Sequence, residues 1–133
     1  RAALAALADG TIDVLASGHD PHGPEEKRLP FADSTAGAAG AVTLLPLALG
    51  LVRDDVVSFV RLTELLAHAP ARLLGIEAGA LVPGMPGDVI LVDRNASWQI
   101  DADATPGAAG NTPFDRLPVQ GRVLRVWKGG RAL

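Results

Sequence analysis

Apolar and polar positions fall in blocks along this chain, and the blocks change character beyond residue 75. Residues 1–8 are almost entirely Ala and Leu and are closed by Asp9-Gly10, which is how the last turns of a helix with a glycine C-cap read. Residues 11–16 follow as a short apolar run between Gly10 and Ser17-Gly18, which predicts a buried strand. Helix, glycine and strand in that order are half of a repeating βα unit. The chain is therefore expected to start in mid-unit, as a piece of a longer protein.

Residues 21–34 carry Pro21, Pro24 and Pro30 around the charged block Glu25-Glu26-Lys27-Arg28, so an exposed loop is expected there. The small residues at 36–40 cannot pack by themselves. They let the backbone approach a ligand and offer its N–H groups, or they form a plain hinge. Residues 43–51 and 56–67 read as helices, with Pro46 in the first turn of one and Ser58 near the start of the other. Residues 70–75 predict a further short helix opened by Pro70 and closed by Gly75, with His68 as a surface or capping residue in the connection. From Ile76 onward Gly and Pro turns separate short apolar runs at 88–93, 98–100 and 119–127, and 128–131 reads as a hairpin turn. These predict a small all-β layer.

Composition narrows the picture in three ways. Of 133 residues 48% are hydrophobic but only 4% aromatic, so the modest core must be built from Leu, Val and Ala. A net charge of -3 without a basic run argues against nucleic acid as partner. The longest apolar stretch, 41–52, is too short to cross a membrane and contains Pro46, so a soluble, cytoplasmic protein is expected. Cysteine is absent; any metal must be held by His, Asp or Glu.

The chemistry is concentrated at the end of the predicted strand, where His19, Asp20, Pro21 and His22 follow Gly18. In parallel α/β architectures ligands collect at the C-terminal ends of strands, because the loops there converge. Two imidazoles and a carboxylate can ligate a metal, act as a general base or bind an anion, or they can be a solvated polar loop.

In that setting the sequence resembles the last barrel strand and following loop of dihydroorotases, in the cyclic amidohydrolase family, whose pattern is Asp-His-x-Pro-His, then Glu-Glu-Lys, then Gly-x-x-Gly. Here the chain reads Gly18-His19-Asp20-Pro21-His22, Glu25-Glu26-Lys27, Pro30-Phe31 and Gly37-Ala38-Ala39-Gly40, with no gap in the spacing. Pro70-Ala71-Arg72-Leu73-Leu74-Gly75, continuing through Gly79, Gly84, Gly87 and Asp88, is similar to the C-terminal segment of amidohydrolases in general. Asn111-Thr112-Pro113-Phe114, Gly121-Arg122-Val123 and Gly129-Gly130-Arg131 are similar to its dihydroorotase form. Two columns depart: Gly18 stands where the family has Asp, and Val42 where it commonly has Glu.

The resemblance implies an α/β fold in which residues 1–78 are the last strand and helices of a (β/α)8 TIM barrel and residues 79–133 part of a small β-sandwich. It implies that the parent is an enzyme of pyrimidine biosynthesis, a zinc-dependent cyclic amidohydrolase interconverting dihydroorotate and N-carbamoyl-aspartate. One or two zinc ions would be bound mostly by residues outside this chain, which would be inactive alone. His22 is implied as a substrate contact, and Ala36 and Gly37 as donors of backbone groups to the same ligand. Because Gly18 can neither bind a metal nor take a proton, Asp20 is expected to be both metal ligand and catalytic base, on the argument that residues two apart share a face of a continuing strand. Replacing Gly37 by a larger residue is expected to weaken binding with little loss of stability. Two further implications stay open: a non-catalytic dihydroorotase-like subunit supporting aspartate transcarbamoylase, and an allantoinase or hydantoinase type of amidohydrolase. Homodimerisation or an aspartate transcarbamoylase partner is implied as well.

Overall fold

The fold comes from a computed structural model that describes residues 1–104 and 111–133. Helix α1 (Ala2–Asp9) stops at Gly10, whose φ of 88° is left-handed, as the glycine predicts. The chain then turns back, with the Ile12 N–H donating to Ala6 O at 2.9 Å and the Thr11 N–H to the Asp9 carboxylate at 2.9 Å. Those contacts from Thr11 hold the Asp9 carboxyl below its ordinary pKa.

Residues 11–16 were expected to be a strand, but they carry no β-ladder among the described residues. A strand exists only through its partners, and the nearest bridge, parallel between His19 and Ala38, lies just beyond the segment. Its inner side is nevertheless occupied: Ile12 and Leu15 pack against a core of Leu7, Ala48, Leu49, Val57, Leu62 and Leu65. Leu62 and Leu65 are 1% and 0% exposed. Full burial of such side chains contributes about 1.5–3 kcal/mol each.

That core is formed largely by α3 (Leu44–Arg53) and a second, longer helical run. The run is capped by Ser58, whose hydroxyl accepts from the Arg61 N–H at 3.1 Å. It continues through α4 (Phe59–Thr63), a π-helical turn (Glu64–His68) and α5 (Ala69–Leu74), and ends at Gly75 with φ 65°. The break expected at residue 70 is thus absent. Proline has no N–H and crowds the preceding turn; the chain passes it by widening that turn, so that the Ala69 N–H reaches back five residues to Glu64 O. The Leu65 carbonyl accepts instead from the Leu15 N–H at 3.0 Å. Arg61 adds a bond from its guanidinium to Ile12 O at 2.8 Å. Helix and core segment are held together twice.

The remainder is an antiparallel sheet in the order β1-β2-β3, from β1 (Val89–Gln99), β2 (Pro118–Lys128) and β3 (Arg131–Ala132). Gly129 and Gly130, with φ of 56° and 77°, turn β2 into β3, as the sequence predicts. The two separate runs expected at 88–93 and 98–100 are one strand with a bulge. Asp93 takes the amides of Asn95 and Ala96 on its carboxylate at 2.9 and 3.1 Å, and the register with β2 shifts at that point. The sheet packs on α3 through Gly121, at φ 104°, beside Leu49. The result is an α/β fold with one three-stranded sheet among the described residues. No helix among them is long and apolar enough to cross a membrane.

Candidate functional site

Two loops, residues 17–28 and 35–41, are tied to each other before any ligand is considered. The Asp20 N–H donates to Ala38 O at 2.9 Å. The His19 ring accepts on Nδ1 from the N–H groups of Gly40 and Ala41, at 3.1 and 3.2 Å. An imidazole nitrogen that accepts carries no hydrogen, so the proton of the neutral ring is on Nε2. Gly40 must be glycine for this approach, since a Cβ there would lie 2.5 Å from Ser17 O. The buried Thr43 hydroxyl and the Leu44 N–H both bond Gly40 O, anchoring the second loop to the start of α3.

Within this frame Asp20, His22 and Glu26 meet. His22 Nε2 faces the Asp20 carboxylate at 3.4 Å and Nδ1 faces Glu26 at 3.3 Å. Nε2 is nonetheless buried without a well-formed hydrogen bond among the described residues, because the Asp20 oxygen is near it but poorly aligned. Glu26 is placed by the one-turn helix α2 (Pro24–Lys27), a feature inside the expected loop. Pro24 starts α2, and the Gly23 N–H donates to the Glu26 carboxylate at 3.2 Å.

Asp20 is mostly exposed, its side chain retaining 68% of its free surface. The alternation argument that linked it to Gly18 does not survive. Gly18 has φ 57°, a left-handed turn that takes the backbone out of a continuing strand, so positions 18 and 20 are not successive points on one face. Asp20 and Glu26 approach opposite edges of the His22 ring instead of converging on one point, and no three such groups are arranged to hold a metal among the described residues.

Gly37 closes the site from the other loop. Its φ is 116°, and a Cβ would lie 2.5 Å from Asp20 O and 2.7 Å from its carboxylate oxygen. The expectation that a larger residue would leave folding untouched is therefore corrected: the loop itself would have to move. Gly37 O accepts from Lys27 Nζ at 2.6 Å and from Asn111 Nδ2 at 3.2 Å. Asn111 also accepts the His22 N–H on its side-chain oxygen at 3.3 Å and the Ala39 N–H on its carbonyl at 2.9 Å. Ala36 is exposed beside Gly37. The structure thus brings together Asp20, His22 and Gly37. Sequence reasoning missed Asn111 as a member of the group, because its partners lie 74 and 89 positions away and no local spacing signals them.

No protein-family model matches the chain. It is 38% identical over 128 residues to a dihydroorotase of Geobacter metallireducens, and 40% identical over 130 residues to a dihydroorotase of Geobacter sp. strain M21. These matches cover 96% and 97% of the chain but 30% and 31% of the relatives. The chain therefore spans less than a third of the length of the curated relatives it matches. Among solved structures, the L-hydantoinase (dihydropyrimidinase) of Arthrobacter aurescens superposes with a TM-score of 0.90 at 30% identity, over 98% of this chain and 30% of that one. The dihydropyrimidinase of Brevibacillus agri, at 21% identity, shares the fold with a TM-score of 0.92. These likenesses fit a segment of a cyclic amidohydrolase. Within that class it fits the C-terminal part of a dihydroorotase-like member.

Proposed function

We propose that the whole protein is a dihydroorotase, interconverting dihydroorotate and N-carbamoyl-aspartate for pyrimidine biosynthesis in the cytoplasm. The observation that carries the reading is the meeting of the Asp20 carboxylate, the His22 ring and the Gly37 backbone from two loops that fit the dihydroorotase pattern. In this reading residues 1–78 complete a TIM barrel and residues 79–133 contribute to a β-sandwich with strands from elsewhere in the protein. His22, Ala36 and Gly37 hold the anionic substrate. Asp20 accepts a proton from the water whose oxygen adds to the ring amide carbon; the C–N bond then breaks and the nitrogen is protonated. Zinc would activate that water in the whole protein, with its ligands supplied mainly from outside this chain and Asp20 the oxygen donor nearest to hand.

A second reading, a non-catalytic dihydroorotase-like subunit that supports aspartate transcarbamoylase, is favoured by Gly18 alone. The hydantoinase-type alternative draws on the structural likeness to L-hydantoinase. One experiment separates the three: full-length protein, its metal content measured, is assayed with dihydroorotate, carbamoyl aspartate, hydantoin and allantoin. Turnover of the first pair with bound zinc supports the proposal. Turnover of hydantoin or allantoin instead, or no turnover and no zinc, defeats it.

A further inference from the structure

Asn111 and Lys27 do something that neither a ligand role nor simple packing explains. Both place a donor on one carbonyl, Gly37 O, at 3.2 and 2.6 Å. A carbonyl oxygen has two lone pairs, so this one is fully occupied and unavailable to a substrate. The Gly37 N–H, by contrast, has no hydrogen-bond partner among the described residues. Lys27 Nζ bonds Thr35 O as well, fixing the loop on the other side of Ala36. Asn111 meanwhile accepts the His22 N–H with the other end of the same amide. A single planar side chain therefore spans the two loops.

We propose that Asn111 and Lys27 are positioning residues that set the gap between His22 and Gly37 and leave the Gly37 N–H as the free donor for an anionic group of the substrate. This rests on the proposed dihydroorotase reading and deepens it. A carboxylate of dihydroorotate would be held by the Gly37 amide, at the edge of the loop that carries His22. The two side chains would touch neither substrate nor reacting atoms, and act only by holding what does. Lys27 in this role is a structural cation, not a substrate-binding one. Glycine at 37 is required on the same account, because Asp20 fills the space of a side chain.

The test uses the full-length protein and two readouts. Hydrogen–deuterium exchange of peptides covering residues 28–40 reports whether the loop is pinned, and steady-state kinetics with dihydroorotate report whether pinning matters. Asn111→Ala and Lys27→Met are expected to speed exchange in that segment and to raise KM about five- to tenfold with kcat changed less than about twofold, the scale of one or two net hydrogen bonds. Asn111→Asp keeps the acceptor for His22 but sets an oxygen against Gly37 O, so it should be no better than Ala, whereas Lys27→Arg should restore most of the binding. Unchanged exchange in both loss variants, or faster exchange with unchanged KM, overturns the proposal. If the unmodified protein neither binds nor turns over dihydroorotate, the functional reading fails first and takes the substrate-positioning role with it. Failure of the clamp alone shows as a competent parent with unaffected variants.

Discussion

The Asp20 carboxylate occupies the space that a side chain at Gly37 would need, with its Oδ2 2.7 Å from the position of a Cβ there. Substituting Gly37 therefore meets two costs at once. One is the left-handed φ of 116°, which L-residues adopt at about 1–3 kcal/mol; the other is the clash with both the backbone and the side chain of Asp20. Gly37→Ala should weaken dihydroorotate binding and lower the thermal midpoint of the full-length protein together. Removing the side chain of Asp20 should not restore either, because Asp20 O remains 2.5 Å from that Cβ position. An Ala variant that melts and binds like the parent would show that the loop adopts another conformation.

Acid sensitivity should have a traceable source in the helical run. Arg61 bonds Glu64 at 2.8 Å, and this hydrogen bond, opposed in part by desolvation, holds the Glu64 carboxyl below its ordinary pKa. A depressed folded-state pKa contributes stability that is present above the unfolded value and lost as pH falls through the folded one. Stability measured by urea titration should thus decline through and below the ordinary carboxylate range. Arg61→Met should make that decline shallower while also lowering stability at neutral pH, since the bond to Ile12 O is lost too. A variant with an unaltered acid slope would remove Glu64 from the explanation.

How far the sequence foretold this depends on how local the cause is. Gly10, Ser58 and Gly75 mark helix ends that the structure confirms, because capping is decided within a turn. The two Gly residues after Lys128 likewise make their own hairpin. Residues 11–16 were misjudged since a ladder needs partners, which the apolar pattern cannot supply. Pro70 was read as a helix start because its missing N–H is easiest to place there. The structure instead absorbs it with a π turn whose spare carbonyl serves Leu15. In the candidate site the motif resemblance pointed to the loops of His22 and Gly37, while the bonds of Asn111 to both, across 89 and 74 positions, had no local signal.

The junction of helix and sheet offers a prediction independent of function. A Cβ on Gly121 would lie 2.3 Å from Leu49 Cδ1, at a φ of 104°, and Leu49 is itself 2% exposed in the core. Gly121→Ala should cost about 1–3 kcal/mol, the usual range for overpacking, read as a lowered urea midpoint with unchanged m. In a double-mutant cycle with Leu49→Ala, the two changes should be less than additive, because the second makes room for the first. Strict additivity would mean that backbone strain, not the Leu49 contact, sets the cost.

Gly18 decides whether the proposed chemistry is complete. Its φ of 57° is left-handed, yet a Cβ there meets nothing within 4 Å. Gly18→Asp should therefore fold, at a backbone cost of about 1–2 kcal/mol that Asp tolerates better than most residues, and a thermal shift of the full-length protein should be correspondingly small. Asp20 is exposed and lies beside His22; in the proposed reading it takes the proton from water in place of the missing carboxylate. On that account Asp20→Asn abolishes turnover, since an amide does not accept the proton at neutral pH, and Gly18→Asp in the Asp20→Asn background recovers part of it. Full activity in Asp20→Asn would strip Asp20 of the role. Absent turnover in the parent, restored by Gly18→Asp alone, would instead mark the natural protein as the non-catalytic form.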